Sequence, residues 1–494
     1  MRSFGRKGGN ILLTCPSRLA FCSRANIKVI RGIKMRQVNA LEVAATSKFN
    51  KFHLMVYLWC FFAITFDGYD IALYGVSLPL LMKEWNLTVV QAGAIGSYSL
   101  IGMIIGALVF APLADKIGRK KVLIICMTIF SIFTFLGGVI DSPIAFTIMR
   151  FIAALGIGGL PANAISLMTE YSPKANRTII VATMYCGYSI GGILVSLLGI
   201  YAVPEVGWRI LYWVGGFPLL VLPFLLKQFP ESLSFYILKR QTKKLSSILN
   251  RINPLGDYTE EDDYCFEEIQ NESKGFPVKK LFEKQRAIST FAFWIAVFSC
   301  LLMVYGLNTW LPKIMQQSGY GLSSGLVFNI VLCIGQVAGS LIGGFLAGKL
   351  GHRKVLVSMY ILGAVCFVIL GATSNLFMLY VLVAMGGACT VGTQNLANPY
   401  ISEYYPKEAR ATGIGWALGV GRIGAVVAPT LIALILAVGL APQKTFMVFA
   451  VPSIIGALAL LCVQERFGSF DNVGNSSHLK QLPSRVSETN NITL

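Results

Sequence analysis

The sequence predicts an all-α polytopic membrane protein, with twelve transmembrane helices in two six-helix halves related by pseudo-symmetry. Three observations predict it. Of 494 residues, 55% are hydrophobic and only 13% charged, roughly half the charge that a soluble surface carries. The apolar residues fall into runs of about 20, the length of a helix that crosses a bilayer. The chain also matches itself at a constant offset of 233 residues: Asp115 to Leu123 (DKIGRKKVL) answers Gly348 to Leu356 (GKLGHRKVL), and Glu170 to Arg177 (EYSPKANR) answers Glu403 to Arg410 (EYYPKEAR). Pro79 and Pro312, and Gly191 and Gly424, keep the same offset. Parallel repeats of this kind build carriers that hold substrate near the midplane, between the halves.

In chain order, residues 1–52 form a basic N-terminal tail. Met1 to Lys34 contains no acid, a composition that fits a disordered tail, translation from Met35, or an organellar transit peptide. Residues 53–227 are the first half, with spans starting near 54, 91, 122, 144, 178 and 209. A polar connector, 228–286, alternates basic blocks with an acidic one (Glu260 to Asp263, Glu267, Glu268) and has room for amphipathic helices. Residues 287–464 are the second half, with spans starting near 287, 324, 355, 376, 411 and 445, and 465–494 a second tail.

Twelve crossings put both termini on one side. Loops on that side carry Lys116, Arg119, Lys120, Lys121, Lys174, Arg177, Lys349, Arg353, Lys354, Lys407 and Arg410, against Lys83, Arg209, Lys313 and Lys444 opposite. This bias makes both termini cytoplasmic and the cell membrane the expected location. It also accounts for the formal charge of +19 without nucleic acid. Eleven scattered cysteines and three histidines form no CxxC pair or Cys/His cluster, so no metal, disulfide or cofactor is expected. Nor is there a nucleophile–base pair or phosphate-binding glycine loop, which argues against an enzyme or an ATP-driven pump.

Ionisable residues well inside apolar sequence reduce to Asp67, Asp70, Arg150 and Arg422. A charge in hydrocarbon costs a few kcal/mol, so such residues face a partner or a cavity. On a helix, Asp67, Asp70 and Tyr74 share one face, and Gly68 and Gly75 let a neighbour come close. The acid pair reads as a proton-loading site, or one acid reads as an arginine's helix-holding partner. Arg150, two turns from the outer surface, either faces the interior or snorkels outward. Arg422, in GVGRIG, lies beyond reach of water and needs an anion. Its fork suits a substrate carboxylate, the alternative being permanent pairing to Asp67 or Asp70.

At the cytoplasmic span ends, Asp115, Gly118 and Arg119, with Glu170 and Arg177 as partners, read as a latch that gates alternating access. Tyr185, Tyr188, Asn308, Trp310, Gln336, Gln394, Asn395, Asn398 and Trp416 are candidates to line a cavity, although aromatics near span ends also serve as interfacial anchors. Substrate contact is expected of Arg422, Arg150, Tyr74, Asn308 and Trp416.

From Phe52 to Gln464 the chain resembles the major facilitator superfamily. GALVFAPLADKIGRKK (Gly106 to Lys121) is similar to that superfamily's loop motif, Arg150 with Gly156 and Gly158 to its fourth-helix motif, and PESLSFYILKR (Pro230 to Arg240) to the segment closing its sixth helix. DGYD (Asp67 to Asp70) and GRIGA (Gly421 to Ala425) resemble the aromatic acid/proton symporters, which import benzoate, 4-hydroxybenzoate and protocatechuate. The resemblance implies roles for Asp67, Asp70, Asp115, Arg119, Arg150 and Arg422. The second-half loop departs from the motif at Gly348 and His352.

The expected function is secondary active import of an aromatic carboxylate with protons, by a protein that needs the lipid bilayer and works as a monomer. A porter for another organic acid, nicotinate or a sugar, and a proton antiporter exporting aromatic compounds, are the alternatives.

Overall fold

A computed structural model describes residues 27–30, 33–265, 278–283, 285–406 and 409–468. The basic segment 1–26, the acids Glu267 and Glu268, Lys407 and the tail 469–494 lie outside the described residues.

Among the described residues, twelve helices are long and apolar enough to cross a membrane: Lys51–Glu84, Val89–Ile117, Arg119–Gly137, Pro143–Tyr171, Arg177–Tyr201, Arg209–Gln228, Ala287–Gln317, Leu322–Leu350, His352–Leu370, Leu376–Tyr404, Arg410–Ala437 and Lys444–Leu461. We call them spans 1 to 12. All begin within three residues of the expected starts. Local chemistry sets several of the ends. Asn50 and His53 form a capping box on span 1, and Thr88 and Gln91 another on span 2, satisfying backbone N–H groups that hydrocarbon would leave bare. Pro143 opens span 4, where a missing N–H costs nothing. Spans 2 and 8 both stop at glycines with positive φ, Gly118 at 103° and Gly351 at 89°, a conformation that glycine enters freely.

Apolar side chains point outward as well as inward. Leu108, Ile144, Leu220, Phe345 and Phe377 are exposed, as a bilayer-facing surface requires. Within each half the helices approach through small residues. A Cβ on Gly106 would lie 2.0 Å from Leu155 O, and one on Gly335 would lie 1.9 Å from Ala384 O, so spans 2 and 4 pack as spans 8 and 10 do.

Both ends of the described chain meet the connector on one face of the bundle, here the terminal face, opposite the far face. On the far face Arg209 binds Glu84 (2.8 Å) and Asp141 (2.5 Å) and lies over the Trp208 ring, 4.6 Å from its centroid.

The terminal face carries structure that the reading of 1–52 as a tail missed. Strand β2 (Ile33–Asn39) lies between antiparallel β1 (Ile27–Ile30) and parallel β3 (Asp263–Cys265) of the connector. Val38, Ala40 and Ala44 are buried, which gives the segment an apolar anchor that its basic composition hides. The connector helix Thr242–Ile252 is amphipathic, as expected. It buries Leu245, Ile248, Leu249 and Ile252, the i, i+3, i+4, i+7 stripe of a surface helix. Asn50 donates to the carbonyls of Arg251 and Ile252, both at 3.0 Å, and Arg36 to Gly256 O at 2.9 Å. The connector is thereby tied to span 1.

Candidate functional site

Span 1 is the axis of the site. Gly68 brings it against the backbone of Tyr188 in span 5, where a Cβ would stand 1.8 Å from the carbonyl oxygen. Gly75 brings it against Asn308 in span 7, with 2.1 Å to that carbonyl. Two acids are thus carried to the seam between the halves, and Asp67 and Asp70 are both buried.

Their environments differ. Asp70 is ion-paired to Arg150, which is 3% exposed and also meets the Asp70 carbonyl at 3.5 Å. Arg150 therefore faces the interior and does not snorkel. Tyr74 donates to Ala92 O (2.6 Å) and lines a small cavity beside this pair with Ser99, Tyr305 and Thr309. Asp67 has no hydrogen bond or ion pair among the described residues; the charges acting on it are Asp70 and Arg422. Arg422, half-buried in span 11 of the other half, likewise has no ion-pair partner among them. An acid and a base thus lie within electrostatic reach of each other across the seam, neither held in an ion pair among the described residues.

Tyrosines surround them. Tyr185 and Tyr305 lie in the field of both Asp67 and Arg422, and Tyr188 in that of Asp67. Tyr185 and Tyr188 were among the cavity candidates. Tyr305 was not, and its only signal in sequence is its place one turn before Asn308. Three of the other candidates spend their polar groups elsewhere, whereas Gln336 Nε2 and Asn398 Oδ1 are buried without a partner among the described residues. Asn308 donates to Val304 O (2.7 Å), Trp310 to Pro429 O (2.9 Å) and Asn395 to Ser340 (2.9 Å), while Gln336 accepts from Ser189 (3.1 Å). Trp416 does not join the site. It stacks on Trp294 at 5.6 Å, because six residues before Arg422 is about a third of a turn off that residue's face.

Hydrogen bonds between side chains of one half and groups of the other all lie, among the described residues, at or beyond the midplane toward the far face. Ser97 meets Val426 O (2.6 Å) and Thr430 (2.8 Å), Asn329 donates to Ser196 (2.8 Å), and Ser189 donates to Gln336. On the terminal side of Arg422 the same face of span 11 presents Gly415 and Gly419, where a Cβ would meet nothing within 4 Å. The halves are joined on the far side of the site and part on the terminal side.

At the terminal end of the first half, Arg119 is ion-paired to Glu170, which also accepts from Ser234 at 3.0 Å. Gly118 supplies the turn. Glu231, from the connector, accepts from the Lys120 N–H (2.9 Å) and caps span 3, a contribution that a lone loop acid does not announce. One expected member of the latch, Asp115, and one expected partner, Arg177, are not brought in. Asp115 is exposed and unpaired among the described residues, and Arg177 turns to Ser172 O at 3.3 Å. The turn aims Arg119 toward span 4 while Asp115, one turn earlier on span 2, points away.

Two six-helix halves with uncommitted charges at the seam define a membrane transporter of the two-domain type. The chain belongs to the Major Facilitator Superfamily, whose model matches residues 60–342 and 330–484. It is 38% identical over 436 residues to the benzoate transport protein of Acinetobacter baylyi, covering 87% of this chain and 94% of that one. It is 34% identical to the gentisate transporter of Corynebacterium glutamicum (81% and 85% covered) and 31% identical to the gallate transporter of Pseudomonas putida (82% and 91%). Such relatives make it a transporter and not an enzyme. In fold it is similar to the xylose transporter XylE of E. coli, with a TM-score of 0.67 at 14% identity over 83% of this chain and 96% of that one.

Proposed function

We propose that the protein imports an aromatic carboxylate together with a proton by alternating access. The observation that carries this reading is the uncommitted Asp67–Arg422 couple among Tyr185, Tyr188 and Tyr305. A guanidinium at mid-membrane without a fixed anion is built to receive one, and a planar carboxylate meets its fork in two parallel hydrogen bonds. The tyrosine rings suit the flat face of an aromatic ring. The gentisate, gallate and benzoate transporters among the relatives support the same substrate class.

Proton coupling follows from competition. An ionised Asp67 attracts Arg422 and opposes the substrate's carboxylate; a proton on Asp67 removes both effects. Substrate and proton therefore bind together. With one proton per monoanion the loaded carrier gains no net charge, so a pH gradient drives it and the membrane voltage does not. Asp70 is held by Arg150 and takes no proton in this scheme. The basic loops support a cytoplasmic terminal face, and with it the reading of the described conformation as inward-facing in a cell membrane.

The test is counterflow in proteoliposomes, with unlabelled benzoate, 4-hydroxybenzoate, xylose or nicotinate inside and labelled 4-hydroxybenzoate entering. Acceleration by the benzoates alone is expected, together with net uptake driven by an imposed pH gradient. Acceleration by xylose or nicotinate, or uptake driven by voltage alone, would refute the assignment.

A further inference from the structure

Tyrosines buried in this bundle spend their hydroxyl groups on the protein. Tyr69 donates to Leu211 O (2.6 Å), Tyr74 to Ala92 O (2.6 Å) and Tyr360 to Ala296 O (2.6 Å), while Tyr212 meets Ser77 (2.9 Å) and Tyr405 meets Thr290 (2.8 Å). Tyr171 donates to Glu231 O. This is what a phenol at membrane depth requires, since an unpaired hydroxyl in a dry interior costs about 1–3 kcal/mol. Tyr185 and Tyr188, partly exposed at mid-span, are placed otherwise. Neither hydroxyl has a hydrogen-bond partner among the described residues.

Their placement is set by span 5. Gly192, one turn after Tyr188 and two after Tyr185, faces the other half, where a Cβ would lie 2.7 Å from Cys333 Sγ. The two phenols share that face, on the terminal side of the contact, where the halves part. Both remain partly exposed at mid-span, and both lie in the field of Asp67.

We propose that the hydroxyls of Tyr185 and Tyr188 bind the polar substituents of the substrate's ring, so that the site selects hydroxylated aromatic acids over the bare ring. This rests on the transport reading above. With the carboxylate held at Arg422, a ring hydroxyl pointing toward span 5 both donates to and accepts from these phenols. An unsubstituted ring leaves them unpaired once water is excluded, and a site built to pair a hydroxyl discriminates against the analogue that lacks it.

The experiment measures KM in counterflow for benzoate, 4-hydroxybenzoate and 3,4-dihydroxybenzoate, with wild-type protein and with Tyr185→Phe, Tyr188→Phe and the double variant. Phenylalanine keeps the ring and its packing, and a thermal unfolding curve for each variant checks the fold. The readout is the ratio of KM for each hydroxylated acid to KM for benzoate. In the double variant this ratio should rise about tenfold, the size of one lost hydrogen bond. A ratio within twofold of the wild type, whatever happens to the individual values, would overturn the inference. Wild-type protein that exchanges none of the three acids would instead overturn the transport reading, and this inference with it.

Discussion

The two terminal corners of the bundle, one per half, have the same backbone and different charges. In the first, Gly118 turns span 2 into span 3, Arg119 pairs with Glu170, and Tyr171 donates to the carbonyl of Glu231. In the second, 233 residues on, Gly351 makes the turn, His352 meets Glu403 at 3.0 Å, and Tyr404 donates to the carbonyl of Gln464 at 3.2 Å. Lys120 reaches the carbonyl of Leu226, and its repeat mate Arg353 reaches those of Leu460 and Leu461. Glycine, tyrosine and terminal glutamate are kept; Asp115, Arg119 and Glu231 become Gly348, His352 and Gln464. What both halves keep is what the turn needs to fold. The charges of Asp115, Arg119 and Glu231 are present once.

The midplane follows the same rule. Asp67, Asp70 and Arg150 correspond to Cys300, Met303 and Val383, and Arg422 to Ser189. Duplication supplied a symmetric scaffold, and the ionisable chemistry was placed in it asymmetrically: a committed pair within the first half and an uncommitted couple across the seam.

That distinction can be broken experimentally. Arg150→Leu should destabilise the protein by about 3–5 kcal/mol, since it strands a buried carboxylate. Adding Asp70→Asn should recover most of the loss in thermal unfolding. If the double variant is as unstable as Arg150→Leu alone, the pair is not the committed one. Arg422→Ser, which installs the residue of its repeat mate, should leave the melting curve nearly unchanged, because Arg422 holds nothing together. It should lower counterflow on the order of a hundredfold, the weight of charge-assisted bonds to one carboxylate. Destabilisation comparable to Arg150→Leu would make Arg422 a structural residue.

Much of this was legible in sequence because hydrocarbon is a strict solvent. Run length and loop charge gave spans starting within three residues, and four charges inside apolar runs marked the midplane. Pairing was not legible. Asp67 and Asp70 are equivalent by spacing, and only the crossing of spans 1 and 4 gives Arg150 to one of them. The tyrosines were ambiguous because an aromatic at a span end and one at a cavity look alike until the helix face is known; Trp416 was misplaced for that reason. Glu231 and the strand Ile33–Asn39 were missed because the Lys120 N–H and the strand Asp263–Cys265 that they meet lie more than 100 residues away.

The smallest effect sharpens the comparison of the corners. Gly118→Ala and Gly351→Ala both force an L residue to positive φ, with ψ at 146° and 144°, which costs about 1–3 kcal/mol. Their surroundings differ. At Gly118 the new Cβ would stand 2.2 Å from the Glu231 carboxylate, whereas at Gly351 it meets nothing within 4 Å. The Glu231 side chain can swing aside, but it then leaves the Lys120 N–H uncapped and removes a negative charge from the start of span 3, a further loss of about 1 kcal/mol. Thermal unfolding should therefore rank Gly118→Ala below Gly351→Ala, and the gap should vanish when both are made in a Glu231→Ala background. An equal cost in the wild-type background would mean that Glu231 does not cap span 3, and the charge in the first corner would lose its structural anchor.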